Sequence, residues 1–172
     1  MTTVVLLAAG ASRRFGTACK LQAPYRGKPL VRHVAEAILA SGLPAVAVTA
    51  DPAVEDLLPE FRIIRSIGPQ SQSLRAGLAA VDDDRALVVL GDMPHVDAAL
   101  LLRIALAPAP AAASDGNRIT PPASLPRSMF ADIAQLSGDQ GAGAVLRRRP
   151  DLYLVHVDAG RLRDIDISED IL

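Results

Sequence analysis

Aromatic side chains are scarce. The chain has five in 172 residues (Phe15, Phe61, Phe130, Tyr25 and Tyr153) and no tryptophan. Large stacking platforms are thereby excluded, and packing must come from Ala, Val, Leu and Ile in a chain whose residues are 50% apolar. An excess of one charge is lacking too. Eighteen Lys and Arg against nineteen Asp and Glu leave a net charge of −1, which removes the general electrostatic case for binding a nucleic-acid backbone. A single cysteine, Cys19, rules out an internal disulfide, and no Cys/His spacing forms a zinc site; both fit a reducing cytoplasm. No stretch reaches the roughly 18 apolar residues of a membrane span. The apolar opening lacks the basic leader and the cleavage site of a signal peptide. The expectation is a cytoplasmic protein with neither nucleic acid nor membrane as partner. Its length suits one domain over 1–172, large enough to bury roughly 70% of its extended surface.

What is present begins with Val4-Val5-Leu6-Leu7-Ala8-Ala9-Gly10-Ala11-Ser12-Arg13-Arg14-Phe15-Gly16, followed by Lys20. An unbroken apolar run with two β-branched valines suits a strand buried on both faces of a parallel sheet, opening at its carboxyl end into a loop. Gly10 and Gly16 let backbone N–H groups approach a ligand, while Ser12, Arg14 and Lys20 add a hydroxyl and two positive charges. That is an inventory for holding a polyphosphate. Two familiar phosphate loops fail on spacing. A P-loop needs Lys and Ser/Thr after its second glycine, and Gly16 is followed by Thr17-Ala18-Cys19. A dinucleotide fingerprint needs glycine where Ser12 stands and an acid about 20 residues on, where Pro29 and Leu30 stand.

Further along, Pro29 to Ser41 has a helical period (Leu30, Val34, Ile38) stopped by Gly42, and Ala45 to Thr49 reads as a strand. Asp51-Pro52 caps and starts a helix, and Arg62 to Arg65 is a third strand. Strands alternating with helices predict an α/β fold with parallel pairing, right-handed crossovers and ligands beyond the carboxyl ends of the strands. After a Gly/Pro turn, Ser71-Gln72-Ser73 enters another helix, where either serine serves as N-cap or the helix start offers polar groups to a nucleotide. Ala86 to Leu90 repeats the first design, a continuous apolar strand ending in Gly91 and then Asp92-Met93-Pro94. One rigidly held carboxylate suffices as a first ligand for magnesium, which takes oxygen ligands, keeps several waters and leans on substrate phosphates. Asp97 to Leu106 is an amphipathic helix capped by Asp97, and Ala107 to Ala113, with two prolines, reads as a connector. Tyr153 to Val157 is a strand, and in the closing Asp164-Ile165-Asp166 the acids share a face, so one acid can approach a metal. His33, His95 and His156 show no ligand spacing and read as structural, and Arg147-Arg148-Arg149 as a solvated helix end.

The opening stretch resembles the signature L-A-A-G-x-S-x-R-[MF]-G, followed shortly by Lys, of the nucleotidyltransferases that attach a nucleoside monophosphate to the molybdenum cofactor, and looks like their cytidylyltransferase branch. Gln70-Ser71-Gln72-Ser73, Gly91-Asp92-Met93-Pro94 and Asp164-Ile165-Asp166 match other segments of that family in the same order. The resemblance implies a Rossmann-like three-layer sandwich with a mostly parallel sheet, similar to the nucleotide-diphospho-sugar transferases. It implies Mg²⁺ on Asp92 and Asp166, and a nucleotide held by Leu7, Ala8, Ala9, Gly10, Ser12, Arg14, Phe15, Gly16, Lys20, Ser71, Gln72, Ser73 and Gly91. Arg14 and Lys20 would stabilise departing pyrophosphate, and with Asp92 they form the implied catalytic set. The implied reaction joins CTP to the phosphate of molybdopterin, a phosphorylated pterin, for delivery to a client molybdoenzyme. Ala9 stands where guanylyl relatives carry a second glycine, which favours CTP over GTP. Ile119 and Gly143 depart from the family pattern, the latter replacing an arginine. A changed acceptor, compensation by Arg147 to Arg149 and reduced activity all remain open. The alternatives are the same fold acting with GTP or on another phosphorylated acceptor, and a non-catalytic carrier of the cofactor.

Overall fold

Short β-branched runs alternate with helical periods, and the computed structural model, which describes residues 1–9 and 19–165, turns them into strands and helices. The first strand, β1 (Thr2–Leu7), is followed in the described chain by a hairpin of β2 (Pro24–Tyr25) and β3 (Lys28–Pro29). Arg26 and Gly27 sit at φ 47° and 86°, the two left-handed residues that a tight two-residue hairpin turn demands. Helix α1 (Leu30–Ser41) ends at Gly42, whose φ of 70° lets its N–H return to the Leu39 carbonyl. Then come β4 (Ala45–Val48), α2 (Pro52–Glu55), β5 (Arg62–Ile64), α3 (Gln70–Ala79), β6 (Arg85–Leu90) and α4 (Ala98–Leu106). As expected, Asp51 caps α2 by accepting from the Ala53 N–H, and Asp97 caps α4 by accepting from the Leu100 N–H. The second half adds β7 (Ala111–Ser114), β8 (Ile119–Pro126), α5 (Phe130–Ala134), α6 (Gly143–Leu146) and β9 (Tyr153–His156).

Apart from the separate β2–β3 pair, the strands form one seven-stranded sheet in the order β5-β4-β1-β6-β8-β7-β9, in which only β8 runs antiparallel to its neighbours. Alternate residues of β1 face opposite layers. Val4 and Leu6 join Leu30, Val34, Ile38, Leu100 and Ile104 of α1 and α4, while Val5 and Leu7 join Leu74, Leu78, Ile133 and Leu146 of α3, α5 and α6. This is the anticipated three-layer α/β arrangement with a mostly parallel sheet.

One local expectation fails, and one of two alternatives is removed. The alanines at 111–113 were read as connector, yet they are buried in β7 between β8 and β9. Low strand propensity is overridden because small side chains let helices approach both faces, and Pro108 and Pro110 fall before the strand, where the missing N–H costs nothing. At α3 the N-cap position belongs to Pro69, so neither serine caps it. Ser71 lies in the first turn and gives its N–H to the Gly138 carbonyl (3.2 Å), so a distant loop satisfies a donor that a cap would have taken.

Helix α3 lies tightly on the sheet at Gly77. A Cβ there would collide with Val5 and come within 2.9 Å of Val48 Cγ2. Gly77→Ala is therefore expected to destabilise the fold by about 1–3 kcal/mol despite alanine's better helix propensity. A lowered urea midpoint at unchanged slope would show it. An unchanged or raised midpoint would refute the close approach.

Candidate active site

β1 and β6 are paired in register through Leu7 and Leu90, so both chains reach the same edge of the sheet together. Gly91 then bonds back, its N–H donating to the Leu7 carbonyl at 3.0 Å. An added Cβ on Gly91 would meet that carbonyl at 3.3 Å, Leu21 at 3.4 Å and Val31 at 3.5 Å, so the glycine keeps the joint narrow. Asp92 is the first side chain beyond it.

Lys20 reaches Asp92 from a separate segment. A single 3₁₀ turn, Lys20–Gln22, is anchored by buried Leu21 and by the Gln22 amide donating to Asp51 Oδ2 (2.8 Å). It holds Lys20 Nζ 2.6 Å from Asp92 Oδ2, with the two side chains only 17% and 18% exposed. The other carboxylate oxygen, Asp92 Oδ1, is buried and has no hydrogen-bond partner among the described residues. An orphaned anionic oxygen is costly unless something positive meets it.

The Asp92 carbonyl is also engaged, accepting the Ile165 N–H at 2.9 Å. The chain thus returns from residue 165 to the tip of β6. Arg118 braces this return, donating to the Leu162 carbonyl (2.6 Å) and pairing with Asp164 (3.5 Å). Arg118 is itself carried on a turn in which the Asp115 carboxylate accepts the N–H groups of Arg118 and Asn117, both at 2.9 Å. Those backbone donors hold the Asp115 carboxyl below the usual carboxylate range. Sequence reasoning passed over Arg118; its only trace was its position next to Ile119, where the family pattern breaks.

A second brace joins α1, the β2–β3 hairpin and the turn after Asp92. His33 Nε2–H donates to the Tyr25 carbonyl (2.7 Å), and the Tyr25 hydroxyl shares a hydrogen bond with His95 Nε2 (3.0 Å). Both imidazoles stand edge-on to the Tyr25 ring, with centroids 5.3 and 5.9 Å away. Burial, then Arg26, Arg163 and His33 nearby, push the His95 pKa below its ordinary 6.5. The unfolded chain therefore takes up this proton first as pH falls. Stability tied to neutral His95 is full above about pH 6.5 and is lost below it. The urea midpoint should drop between pH 7.5 and pH 5.5, and drop less in His95→Gln; equal drops would contradict the assignment.

Of the residues singled out in the sequence, Leu7, Ala8, Lys20, Gly91 and Asp92 converge at the β1–β6 edge. Leu7 and Ala8 are buried support, the Ala8 N–H bonding the Val48 carbonyl (2.9 Å), and Ala9 is half-buried. Ser71, Gln72 and Ser73 open α3, which follows β5 and so starts at the same edge. Ser71 and Ser73 are buried, the Ser73 hydroxyl without a partner among the described residues, while Gln72 is exposed. Gly10, Ser12, Arg14, Phe15, Gly16 and Asp166 lie outside the described residues. No group of three His, Cys, Asp or Glu that could hold a metal occurs among the described residues, so Asp92 is the carboxylate they place at the centre. No helix among them is long and apolar enough to cross a membrane.

Comparison with known proteins agrees with this geometry. Residues 4–152 match the MobA-like NTP transferase domain. Nicotine blue oxidoreductase of Paenarthrobacter nicotinovorans is 31% identical over 98% of this chain and 91% of its own. Molybdenum cofactor guanylyltransferase of Pseudomonas fluorescens is 34% identical over 58% of this chain and 52% of its own length. Among solved structures, a nucleotidyl transferase from Methanothermobacter thermautotroptrophicus superposes with a TM-score of 0.86 at 26% identity, covering 99% of this chain and 94% of that one. Rv0371C from Mycobacterium tuberculosis, solved in complex with manganese, gives 0.82 at 25% identity, covering 98% and 95%. With a family match over residues 4–152, relatives along its length and a carboxylate–lysine pair where two parallel strands end, the chain belongs to the MobA-like NTP transferase family and is a nucleotidyltransferase.

Proposed function

We propose that this protein transfers a nucleoside monophosphate from a nucleoside triphosphate to the phosphate of a molybdopterin-type acceptor. An acceptor phosphate oxygen attacks the α-phosphorus, the bond from that phosphorus to the α–β bridging oxygen breaks, and pyrophosphate leaves with the electron pair. A phosphate monoester is already ionised near neutral pH, so the site needs position and positive charge more than a general base. The observation that carries the reading is Asp92, whose Oδ1 is buried without a partner while Oδ2 is held by Lys20. That donor suits a hard divalent cation, which would neutralise charge on the α-phosphate when bound. Magnesium is the proposed ion. Asp166 is the proposed second ligand, supported by the bond from Ile165, its chain neighbour, to the Asp92 carbonyl. Lys20, held beside Asp92, is proposed with Arg14 to offset charge developing on the pyrophosphate. Gly10, Ser12, Phe15 and Gly16, with Ser71, Gln72 and Ser73, are proposed to line the nucleotide.

Ala9 in place of a second glycine supports CTP as donor, and the name of the Pseudomonas fluorescens relative supports GTP. The unit is proposed to work as one domain over 1–172, in the cytoplasm. Pyrophosphate release is to be measured with each of the four nucleoside triphosphates, a phosphorylated pterin and Mg²⁺ or Mn²⁺. Turnover with CTP is expected; GTP turnover with CTP inert would overturn the base, and no metal-dependent release with any donor would overturn the reaction. The relative named an oxidoreductase favours a second reading, redox chemistry on a small molecule. NADH consumption with a dye acceptor, without pyrophosphate release, would decide for it.

A further inference from the structure

Three arginines end α6, and the first is placed unlike the others. Arg149 is taken up by Asp151 (2.9 and 2.8 Å), while Arg147 and Arg148 are both exposed with no carboxylate partner among the described residues. Arg147 folds back along its helix. Its Nη1 lies 3.0 Å from the point where a Cβ on Gly143 would stand, with the Ile119 carbonyl oxygen 4.0 Å from the same point. Residues 143 and 147 are one helical turn apart and share a face, so a side chain at 143 would occupy the guanidinium's place. Gly143 has no left-handed φ that would require glycine. What the glycine supplies here is room.

That room lies on the wall of the active edge. Because β8 runs against β6, with Val88 opposite Ala123, its first residue Ile119 is at the end of the sheet where β1 and β6 finish. The segment leading into α6 docks on the start of α3, through the Gly138 carbonyl on the Ser71 N–H and through Gly141 lying against the Gln70 amide. Arg147 has no carboxylate partner among the described residues, although its five donors make a planar fork suited to a phosphate. Lys20 already addresses the Asp92 side of the edge, where the triphosphate is placed above. The second anionic substrate of a phosphate-directed transfer is the acceptor.

We infer that Arg147, through the space left by Gly143, binds the phosphate monoester of the acceptor. The identity of that ligand rests on the nucleotidyltransferase reading. The probes are 6-hydroxymethylpterin monophosphate and its unphosphorylated alcohol, titrated by pterin fluorescence, with triphosphate affinity and pyrophosphate release measured alongside. The phosphorylated probe should bind the native protein at least tenfold more tightly than the alcohol. Arg147→Gln should erase that difference and leave triphosphate affinity within twofold. Gly143→Ala, which meets only the flexible end of Arg147, should weaken the phosphorylated probe by several-fold at an unchanged urea midpoint, and Arg148→Gln should change neither. Equal binding of the phosphorylated probe by native protein and Arg147→Gln, or a loss of triphosphate affinity instead, overturns the assignment. Arg147-dependent binding without pyrophosphate release from any triphosphate would sustain the site and overturn the reaction.

Discussion

Asp92→Asn is expected to lower kcat by a factor on the order of 10³, about 4 kcal/mol of transition-state stabilisation. The substitution keeps the volume at the tip of β6 and the backbone bonds through Gly91 and Ile165. It removes the charge from Oδ1, the buried oxygen that no described residue satisfies, so the divalent ion proposed above would lose its carboxylate ligand. Folding should suffer far less. The pair with Lys20 is mostly but not fully buried, and an amide still offers Lys20 an oxygen acceptor, so a loss of about 1–2 kcal/mol is expected. Initial rates over a series of Mg²⁺ concentrations, with a urea titration of the same preparation, separate the two effects. A variant retaining more than a fifth of native kcat would mean that Asp92 lies outside the chemistry.

Lys20→Met should reduce kcat by about 10², with a rise in KM for the triphosphate. Methionine replaces most of the aliphatic stem, while the ammonium 2.6 Å from Asp92 Oδ2 disappears. The two residues touch, so their effects should not add. The double variant Lys20→Met/Asp92→Asn is expected to be about as slow as Asp92→Asn alone. A fully multiplicative loss, near 10⁵, would show that the lysine acts on the substrate independently of the carboxylate.

Much of this was legible in the sequence because it rests on local chemistry. The runs Val4 to Leu7 and Ala86 to Leu90 are apolar at every position, a pattern that suits a strand buried on both faces, and they are neighbours in the sheet. Asp51, Asp97 and Gly42 announced helix ends through bonds made within a few residues. The failures share a different cause. Nothing near Ala111 says that helices will cover it on both faces, and nothing near Ser71 says that Gly138 will take its N–H, because both depend on partners tens of residues away. Arg118 was missed for the same reason, since its role exists only once Leu162 and Asp164 have returned to the sheet. The family resemblance puts Lys20 and Asp92 in one site with separate roles; that the two pair directly comes only from the fold.

The reversed direction of β8 sets which of its two ends lies where β1 and β6 finish. In the parallel strands β1 and β6 it is the exit that faces the reaction, but in β8 it is the entrance, so the turn at 115–118 looks onto chemistry while Pro126 faces the far side. An insertion between Ser114 and Ile119 would leave the strand pairs in register but would part Arg118 from Leu162 and Asp164. A stretch at the rim is here also a strut: Asp115 and Arg118 secure the chain at 162–165, so a change of length in this turn would be felt at Asp92.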